Sequence, residues 1–309
     1  MNWKRDPRLA YVLVNLCTLF WATNFALGRL LRDDIGPFTL TAARFTVAGI
    51  VFTGLLLRRP AAERKPGHQW PLLLGMGVTG VFGFGSLLYT GLRTTTATNA
   101  SLINGTGPLV IGLLAALTLG ERFGRRQAIG AVISLAGVAI VVSGGSLEAL
   151  AHQRLNVGDL LVLAAVVAWG AYSVMSRIVT RTRSALTATT LSTWFGLPLL
   201  WLAAALEWRT RPPTLSLMVM LAAIYIGVFV SGVGYLAWNE GVRRVGPGKA
   251  TAFYNMLPVY GTLLGVFLLG EPFGPAQLVG GVLIIGGSLL AVWNDLRRPA
   301  PCPAEAEVV

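Results

Sequence analysis

Ten long apolar stretches constrain the fold of this chain more than any motif does. Each has roughly 18–25 residues, enough for a helix to cross about 30 Å of hydrocarbon at about 1.5 Å per residue. Only short segments join them, so we expect an all-α membrane protein with ten transmembrane helices. The stretches run roughly over residues 9–29, 37–57, 70–91, 96–118, 127–144, 159–178, 187–206, 215–238, 249–269 and 276–293.

The composition excludes the classes of protein that work in water. Of the 309 residues, 54% are hydrophobic and only 12% are charged, and the mean hydropathy is +0.65. Soluble domains average about 25% charged residues. Too little sequence remains between the stretches for a large catalytic or nucleic-acid-binding domain. We therefore expect a lipid bilayer around the chain, no nucleic-acid partner, no metal and no cofactor.

The excess of basic residues predicts the topology. The chain has 25 Lys and Arg residues against 13 Asp and Glu residues, a net charge of +12. Lys and Arg favour the N-terminus, every second loop and the C-terminal tail over the opposite loops by roughly three to one. Cytoplasmic segments carry such an excess. We therefore expect both termini to be cytoplasmic.

The sequence repeats itself at an offset of about 150 residues. Residues 91–137 align with 241–287, and the Leu-Gly-Glu run at 119–121 falls on the same run at 269–271. At an offset of 148, Trp21 falls on Trp169. The chain thus consists of two similar halves with five apolar stretches each.

Because five is odd, the second half must lie inverted relative to the first in the membrane. The expected units are a first repeat over 1–148, a second repeat over 149–296 and a disordered cytoplasmic tail over 297–309. Inverted repeats are typical of secondary transporters, whose substrate site lies near the midplane where the halves meet. Alternating access follows when one half rocks against the other.

The repeated residues resemble the EamA domain of the drug/metabolite transporter superfamily. The resemblance covers most of the chain, and Phe-Trp-Ala-Thr-Asn-Phe at 20–25 and Pro37 followed by Arg44 also match the family. It implies a ten-helix transporter with cytoplasmic termini in a bacterial inner membrane, often an exporter of amino acids or other metabolites. The repeated positions that carry it are Gly91, Pro108, Leu119, Gly120, Glu121, Gln127, Gly130 and Gly137, with Gly241, Pro258, Leu269, Gly270, Glu271, Gln277, Gly280 and Gly287.

Aromatic and amide side chains at mid-depth predict a substrate pocket. Trp21 and Trp169 lie near the middle of the first and sixth stretches, whereas membrane tryptophans usually lie at the interface. Helix packing is the alternative explanation for each residue alone. Together they suit a small, partly aromatic, zwitterionic or neutral solute. The candidate substrate-binding residues are Trp21, Asn24, Tyr89, Asn104, Trp169, Tyr172, Tyr235, Trp238, Asn239, Tyr254 and Asn255.

Three further residues carry alternative interpretations. Pro108 and Pro258 fall inside the fourth and ninth stretches and serve there as structural kinks or as paired hinges. Arg44 lies about 10 Å into the second stretch. It either packs on helix carbonyls or snorkels, or it attracts a substrate carboxylate. The second half has Trp194 near the equivalent place, so any role of Arg44 is not symmetric.

The acidic residues lie in loops, in tails or at helix ends. Proton-driven transporters usually carry a buried Asp, Glu or His relay, so we expect facilitated export, with Glu240 as a possible coupling site. Glu121 and Glu271 are expected to cap or brace the helix that follows each of them. Helices 1, 3, 4, 6, 8 and 9 should line the route, with helices 5 and 10 as scaffold or dimer surface.

Other functions stay open at this point. The substrate is expected to be an amino acid, with nucleosides, vitamins and sugar phosphates as alternatives, and proton-coupled antiport is an alternative mechanism. An intramembrane enzyme would need catalytic Asp, Glu or His side chains at depth. A scaffold or receptor would not need inverted symmetry. The chain is expected to act as a monomer or a homodimer.

Overall fold

The computed structural model describes residues 7–120, 124–146, 156–238, 254 and 256–297, and no strand occurs among them. Apart from two short 3-10 turns before α3, the described elements form ten helices. They are α1 (Pro7–Leu30), α2 (Pro37–Leu56), α3 (Trp70–Met76, Gly77–Phe84 and Gly85–Gly91), α4 (Ala97–Asn104 and Gly107–Leu119), α5 (Arg125–Val142), α6 (Val157–Val179), α7 (Ala185–Glu207), α8 (Leu217–Trp238), α9 (Met256–Leu269) and α10 (Pro275–Arg297).

The lengths of these helices confirm a helical membrane protein. In the described part of the chain, seven helical stretches, which contain α2 to α8, are long and apolar enough to cross a bilayer. The apolar parts of α9 and α10 are shorter, and α1 has 24 residues. Ten crossings in two inverted repeats stay a prediction.

Contacts between the connecting segments show which connections lie at the same end of the helices. After α1, Asp34 accepts a hydrogen bond at its carbonyl from the backbone N–H of Thr214, which follows α7, at 2.9 Å. At the other end, Arg183 before α7 donates to the carbonyl of Lys65 before α3 at 2.8 Å. Helices α2 and α7 therefore run between the same two ends of the molecule in opposite directions.

Glycines of the repeated Leu-Gly-Glu run end two helices in the same way. Gly120 follows α4 with φ of 67°, and Gly270 follows α9 with φ of 65°. Only glycine adopts this left-handed conformation without a steric penalty. The repeated sequence thus encodes a repeated helix stop.

Carboxylates from the end of one helix cap the start of another. Glu271, after α9, accepts from the backbone N–H groups of Ala97 and Thr98 at the start of α4, at 2.7 and 2.9 Å. Glu207, at the end of α7, accepts from Thr39 N–H at the start of α2 at 2.9 Å. The expectation that Glu271 braces the following helix is wrong, because its carboxylate reaches across to α4. Glu121 lies outside the described residues.

Two helices contain π-helical segments at equivalent positions. Gly77–Phe84 in α3 and Ile226–Val233 in α8 have eight residues each and lie 149 residues apart. Such segments are rare and occur frequently at functional sites. The recurrence supports the internal repeat, and it places irregular backbone beside the centre of the molecule.

A ladder of tryptophan–threonine hydrogen bonds joins α7 to α2. Three tryptophans seven residues apart, two on α7 and one directly after it, donate their indole N–H to threonines seven residues apart on α2, at 2.9, 3.1 and 2.9 Å. The pairs are Trp194 with Thr53, Trp201 with Thr46 and Trp208 with Thr39. Helices α5 and α10 form a second closely packed pair, in which Ser134 Oγ donates to the Ile284 carbonyl at 2.9 Å.

We expect Glu271→Gln to lower the melting temperature of the purified protein by roughly 2–4 °C. The neutral amide keeps one acceptor but loses the charge that stabilises the start of α4, a loss of about 1 kcal/mol. Thermal unfolding in detergent measures the change.

The control for this variant is Asp33→Asn. The side chain of Asp33 is 74% exposed and pairs with Arg32 at 3.3 Å. Exposed ion pairs contribute little, so its melting temperature should stay unchanged. Equal losses in both variants would mean that the Glu271 cap has no special weight.

Candidate functional site

A central cavity lies between the two halves of the chain. Its volume is only about 30 Å³, so the cavity is nearly closed, and α1, α2, α3, α4, α6 and α8 contribute to its wall together with the start of α9. Aromatic rings, two amides and one arginine dominate the lining. The lining residues are Trp21, Asn24, Phe25, Arg44, Phe84, Asn104, Trp169, Val230, Tyr235, Tyr254 and Leu257.

Trp21 is the centre of an aromatic cluster in this cavity. Its ring lies 6.0 Å from that of Trp169, 6.1 Å from Tyr235, 5.4 Å from Trp238 and 5.9 Å from Tyr254. Three of these pairs meet edge to face, the arrangement that the charge distribution of aromatic rings favours. The rings touch one another, so a solute must push them apart to enter.

The second repeat supplies a stack of two rings. Trp169 and Tyr172 on α6 lie nearly parallel with ring centroids 5.0 Å apart, and Phe84 at the end of the π-helical segment of α3 lies 5.3 Å from Trp169. The indole N–H of Trp21 donates to the carbonyl of Val230, inside the π-helical segment of α8, at 3.1 Å. Both π-helical segments therefore contribute directly to the aromatic cluster.

Arg44 is buried at the edge of the cavity among neutral partners. Its Nη1 donates to Asn24 Oδ1 at 3.3 Å and to Tyr89 OH at 3.1 Å, and Tyr89 OH donates to Asn24 Oδ1 at 2.5 Å. These bonds join α1, α2 and α3. The expectation that Arg44 packs on helix carbonyls or snorkels is not what the structure shows.

A second polar pair crosses from one half to the other. Tyr254 OH donates to Asn104 Oδ1 at 2.6 Å, and both residues are buried. They lie 150 residues apart, so they occupy equivalent positions in the repeat. The pair places a bonded amide and hydroxyl in the cavity wall beside Trp21.

Pro108 begins a helical segment, which corrects its expected position inside a helix. Helix α4 is interrupted at 105–106, and Pro108 lies in the first turn of its second segment, Gly107–Leu119. Pro258 lies within the described part of α9, Met256–Leu269, and the residues just before that part lie largely outside the described chain. A proline N–H is not needed in a first turn. Neither proline lines the cavity.

The structure brings most of the predicted site residues together. Seven of them line the cavity, and Tyr89, Tyr172 and Trp238 lie behind them in contact with lining side chains. Asn239, Glu240 and Asn255 lie outside the described residues. The sequence reasoning missed Phe25, Phe84, Val230 and Leu257. No sequence signal separates these apolar residues from others that face lipid.

The cavity lining holds no Asp, Glu or His among the described residues. Asp159 is buried in the first turn of α6, where its carboxylate accepts a hydrogen bond from the Thr95 hydroxyl. That contact closes the α3–α4 connection against α6, and Asp159 does not reach the cavity.

This chain is similar over almost its whole length to proteins that are named as transporters. It is 28% identical to the uncharacterized transporter YyaM of Bacillus subtilis, over 91% of this chain and 92% of the relative. It is 29% identical to a probable terminal-alkyne amino-acid exporter of Streptantibioticus cattleyicolor, over 93% and 95%. It is 28% identical to the aromatic amino acid exporter YddG of Ancylobacter novellus, over 88% and 93%.

A solved structure and a family model agree with this similarity. A crystal structure with 28% sequence identity superposes with a TM-score of 0.63 and covers 94% of this chain and 99% of its own. The model of the EamA-like transporter family matches twice, over residues 8–143 and 156–293. Together these two matches cover most of the chain, and they show that this protein belongs to the EamA-like transporter family.

Proposed function

We propose that this protein exports amino acids with aromatic or bulky apolar side chains across a bacterial inner membrane. The observation that carries the proposal is the central cavity, where edges and faces of aromatic rings meet two amides, a tyrosine hydroxyl and one arginine. Such a lining suits a solute with an apolar side chain and a small charged backbone. Two relatives named as amino-acid exporters support the same substrate class.

The proposed mechanism is alternating access by two inverted five-helix repeats. The repeat positions and the paired π-helical segments support two equivalent units, and the excess of Lys and Arg in alternate segments supports cytoplasmic termini. Residues 1–148 and 149–296 then form the two moving units. Rocking of one unit against the other opens the cavity to one side while it closes the other.

The interruption of α4 at 105–106 is the proposed hinge of the first unit. Pro108 lies in the first turn after the interruption and has no N–H to bond the carbonyl of Asn104, so one i-to-i−4 bond is missing where the two segments change their angle. Pro258 occupies the equivalent place in the second unit. The hydrogen bond between Asn104 and Tyr254 joins the two hinge regions.

Transport is proposed to be facilitated, because no carboxylate or histidine lines the cavity among the described residues. The outer faces of α5 and α10 carry apolar side chains such as Val132 and Val282, exposed by 68% and 64%. These faces suit lipid around a monomer or a second copy in a homodimer.

Counterflow in proteoliposomes tests the substrate and the mechanism together. Vesicles loaded with unlabelled L-phenylalanine should take up labelled L-phenylalanine in a saturable manner at equal pH on both sides. Vesicles loaded with unlabelled glycine should take up labelled L-phenylalanine much more slowly, because glycine has no side chain that could contact the rings. Uptake that needs an imposed pH gradient would contradict facilitated transport, and no uptake of any amino acid would contradict the substrate class.

A matched pair of tyrosine variants tests whether the cavity is the transport site. Tyr254→Phe removes the hydroxyl that bonds Asn104 in the cavity wall. Tyr260→Phe removes the hydroxyl that bonds Asn15 at 2.6 Å, away from the lining. We expect Tyr254→Phe to raise the KM for counterflow of L-phenylalanine by roughly 5–10-fold, the worth of about one hydrogen bond.

Tyr260→Phe should leave the KM unchanged, since its hydroxyl has no contact with the cavity. Both variants lose a Tyr–Asn hydrogen bond of 2.6 Å, buried at Tyr254 and partly buried at Tyr260, so a general loss of stability would affect both. Equal changes of KM would therefore argue against a transport role of the cavity.

A further inference from the structure

Arg44 has a hydrogen-bonding capacity that the described protein does not use. Its side chain is only 2% exposed and lies in the wall of the cavity. A guanidinium has five N–H donors and no acceptor. Nη1 bonds the neutral oxygens of Asn24 and Tyr89, whereas the buried Nε has no hydrogen-bond partner.

Among the described residues, no carboxylate pairs with Arg44 to neutralise its charge. Its Cζ lies 4.6 Å from the ring centre of Phe45 and 5.4 Å from that of Tyr89, so two rings shield the cation from lipid. Within the described residues, the ion pair that the structure contains joins Arg32 to Asp33, far from this site. A buried cation among neutral groups attracts an anion strongly, because no water screens it.

The location of Arg44 indicates that this anion is the solute. The Arg44 side chain does not extend to a helix end or to the membrane surface, and it borders the cavity. A carboxylate fits a guanidinium edge through two parallel hydrogen bonds, and Nε supplies one of the donors. When the rings move apart and the solute enters, its carboxylate would become the hydrogen-bond partner that Nε lacks.

We infer that Arg44 binds the carboxylate of the transported solute, so that the cavity selects carboxylates over the corresponding amides and amines. Asn24 and Tyr89 position the guanidinium from α1 and α3. The second half has no equivalent cation, since Trp194 near that place donates its indole N–H to Thr53 on the outer surface. The site therefore takes one carboxylate. This inference rests on the proposed export of amino acids, and it adds which group of the solute is recognised.

Binding of four probes to the purified full-length protein tests the inference. The probes are L-phenylalanine, L-phenylalaninamide, 2-phenylethylamine and 3-phenylpropionate, and titration calorimetry in detergent gives each Kd. We expect wild type to bind L-phenylalanine at least about tenfold more tightly than its amide or the amine, which is the worth of a charge-assisted hydrogen bond.

Substitution of Arg44 should remove this preference. Arg44→Gln is expected to bring the ratio of the amide Kd to the acid Kd close to one, while Arg44→Lys keeps part of it because the charge remains. The control is Arg29→Gln. Arg29 is also partly buried, but its guanidinium bonds the carbonyls of Leu92 and Arg93 at 2.9 and 3.0 Å, outside the cavity, so the preference should persist.

An isosteric variant keeps the test valid if Arg44→Gln does not fold. Asn24→Asp places a carboxylate 3.3 Å from Arg44 Nη1 with almost no change of shape. This internal anion should compete with the solute, so L-phenylalanine should bind at least about tenfold more weakly. The melting temperature should not fall, because the buried cation gains a charged partner. A purely structural Arg44 would not lower the affinity in this way.

The outcomes separate the inference from the proposed function. A folded Arg44→Gln that keeps the preference, or a wild type without any preference, overturns the carboxylate site and leaves amino-acid transport intact. A wild type that binds 3-phenylpropionate through Arg44 but no amino acid overturns the proposed substrate and supports the site. Wild type that binds none of the four probes contradicts both.

Discussion

Lipid offers no hydrogen-bond partner, and this constraint decides where each irregular part of the chain lies. At three places where the backbone leaves the α-helical pattern, another helix supplies missing bonds. At the interruption of α4, Ser288 on α10 donates to the carbonyl of Gly105 at 2.9 Å. At the starts of α2 and α4, Glu207 and Glu271 accept from free N–H groups. These hydrogen bonds satisfy the free backbone groups, and they also join the two halves of the chain.

The same constraint concentrates the polar chemistry at one place. Asn24, Tyr89 and Arg44 bond one another, and Asn104 bonds Tyr254 across the repeat. Around them, tightly packed rings exclude water and lower the local dielectric constant, which strengthens every remaining electrostatic attraction. A buried cation with an unused donor is costly to leave without a partner, and that cost supports the proposed binding of a small zwitterion.

Symmetry made much of the candidate site predictable. Trp21 and Trp169 were identified because they recur at mid-depth, and the structure places their rings 6.0 Å apart. Phe84 and Val230 carried no such signal, since apolar residues that face lipid and those that face a cavity have the same composition. The position of Pro108 was wrong because hydropathy does not register an interruption between two apolar half-helices. The destination of Glu271 was wrong because its partner lies 173 and 174 residues away along the chain.

The sequence by itself determined the membrane-helical class, the resemblance to the family and the repeat, because hydrophobicity and residue identity recur along the chain without reference to contacts. Only the tertiary structure decided which side chains meet. It placed Arg44 between neutral partners, directed Glu271 to α4, and bent α3 and α8 into π-helical segments beside the cavity. These outcomes depend on helix rotation and packing, which the apolar composition of a membrane helix leaves open because either face can satisfy lipid.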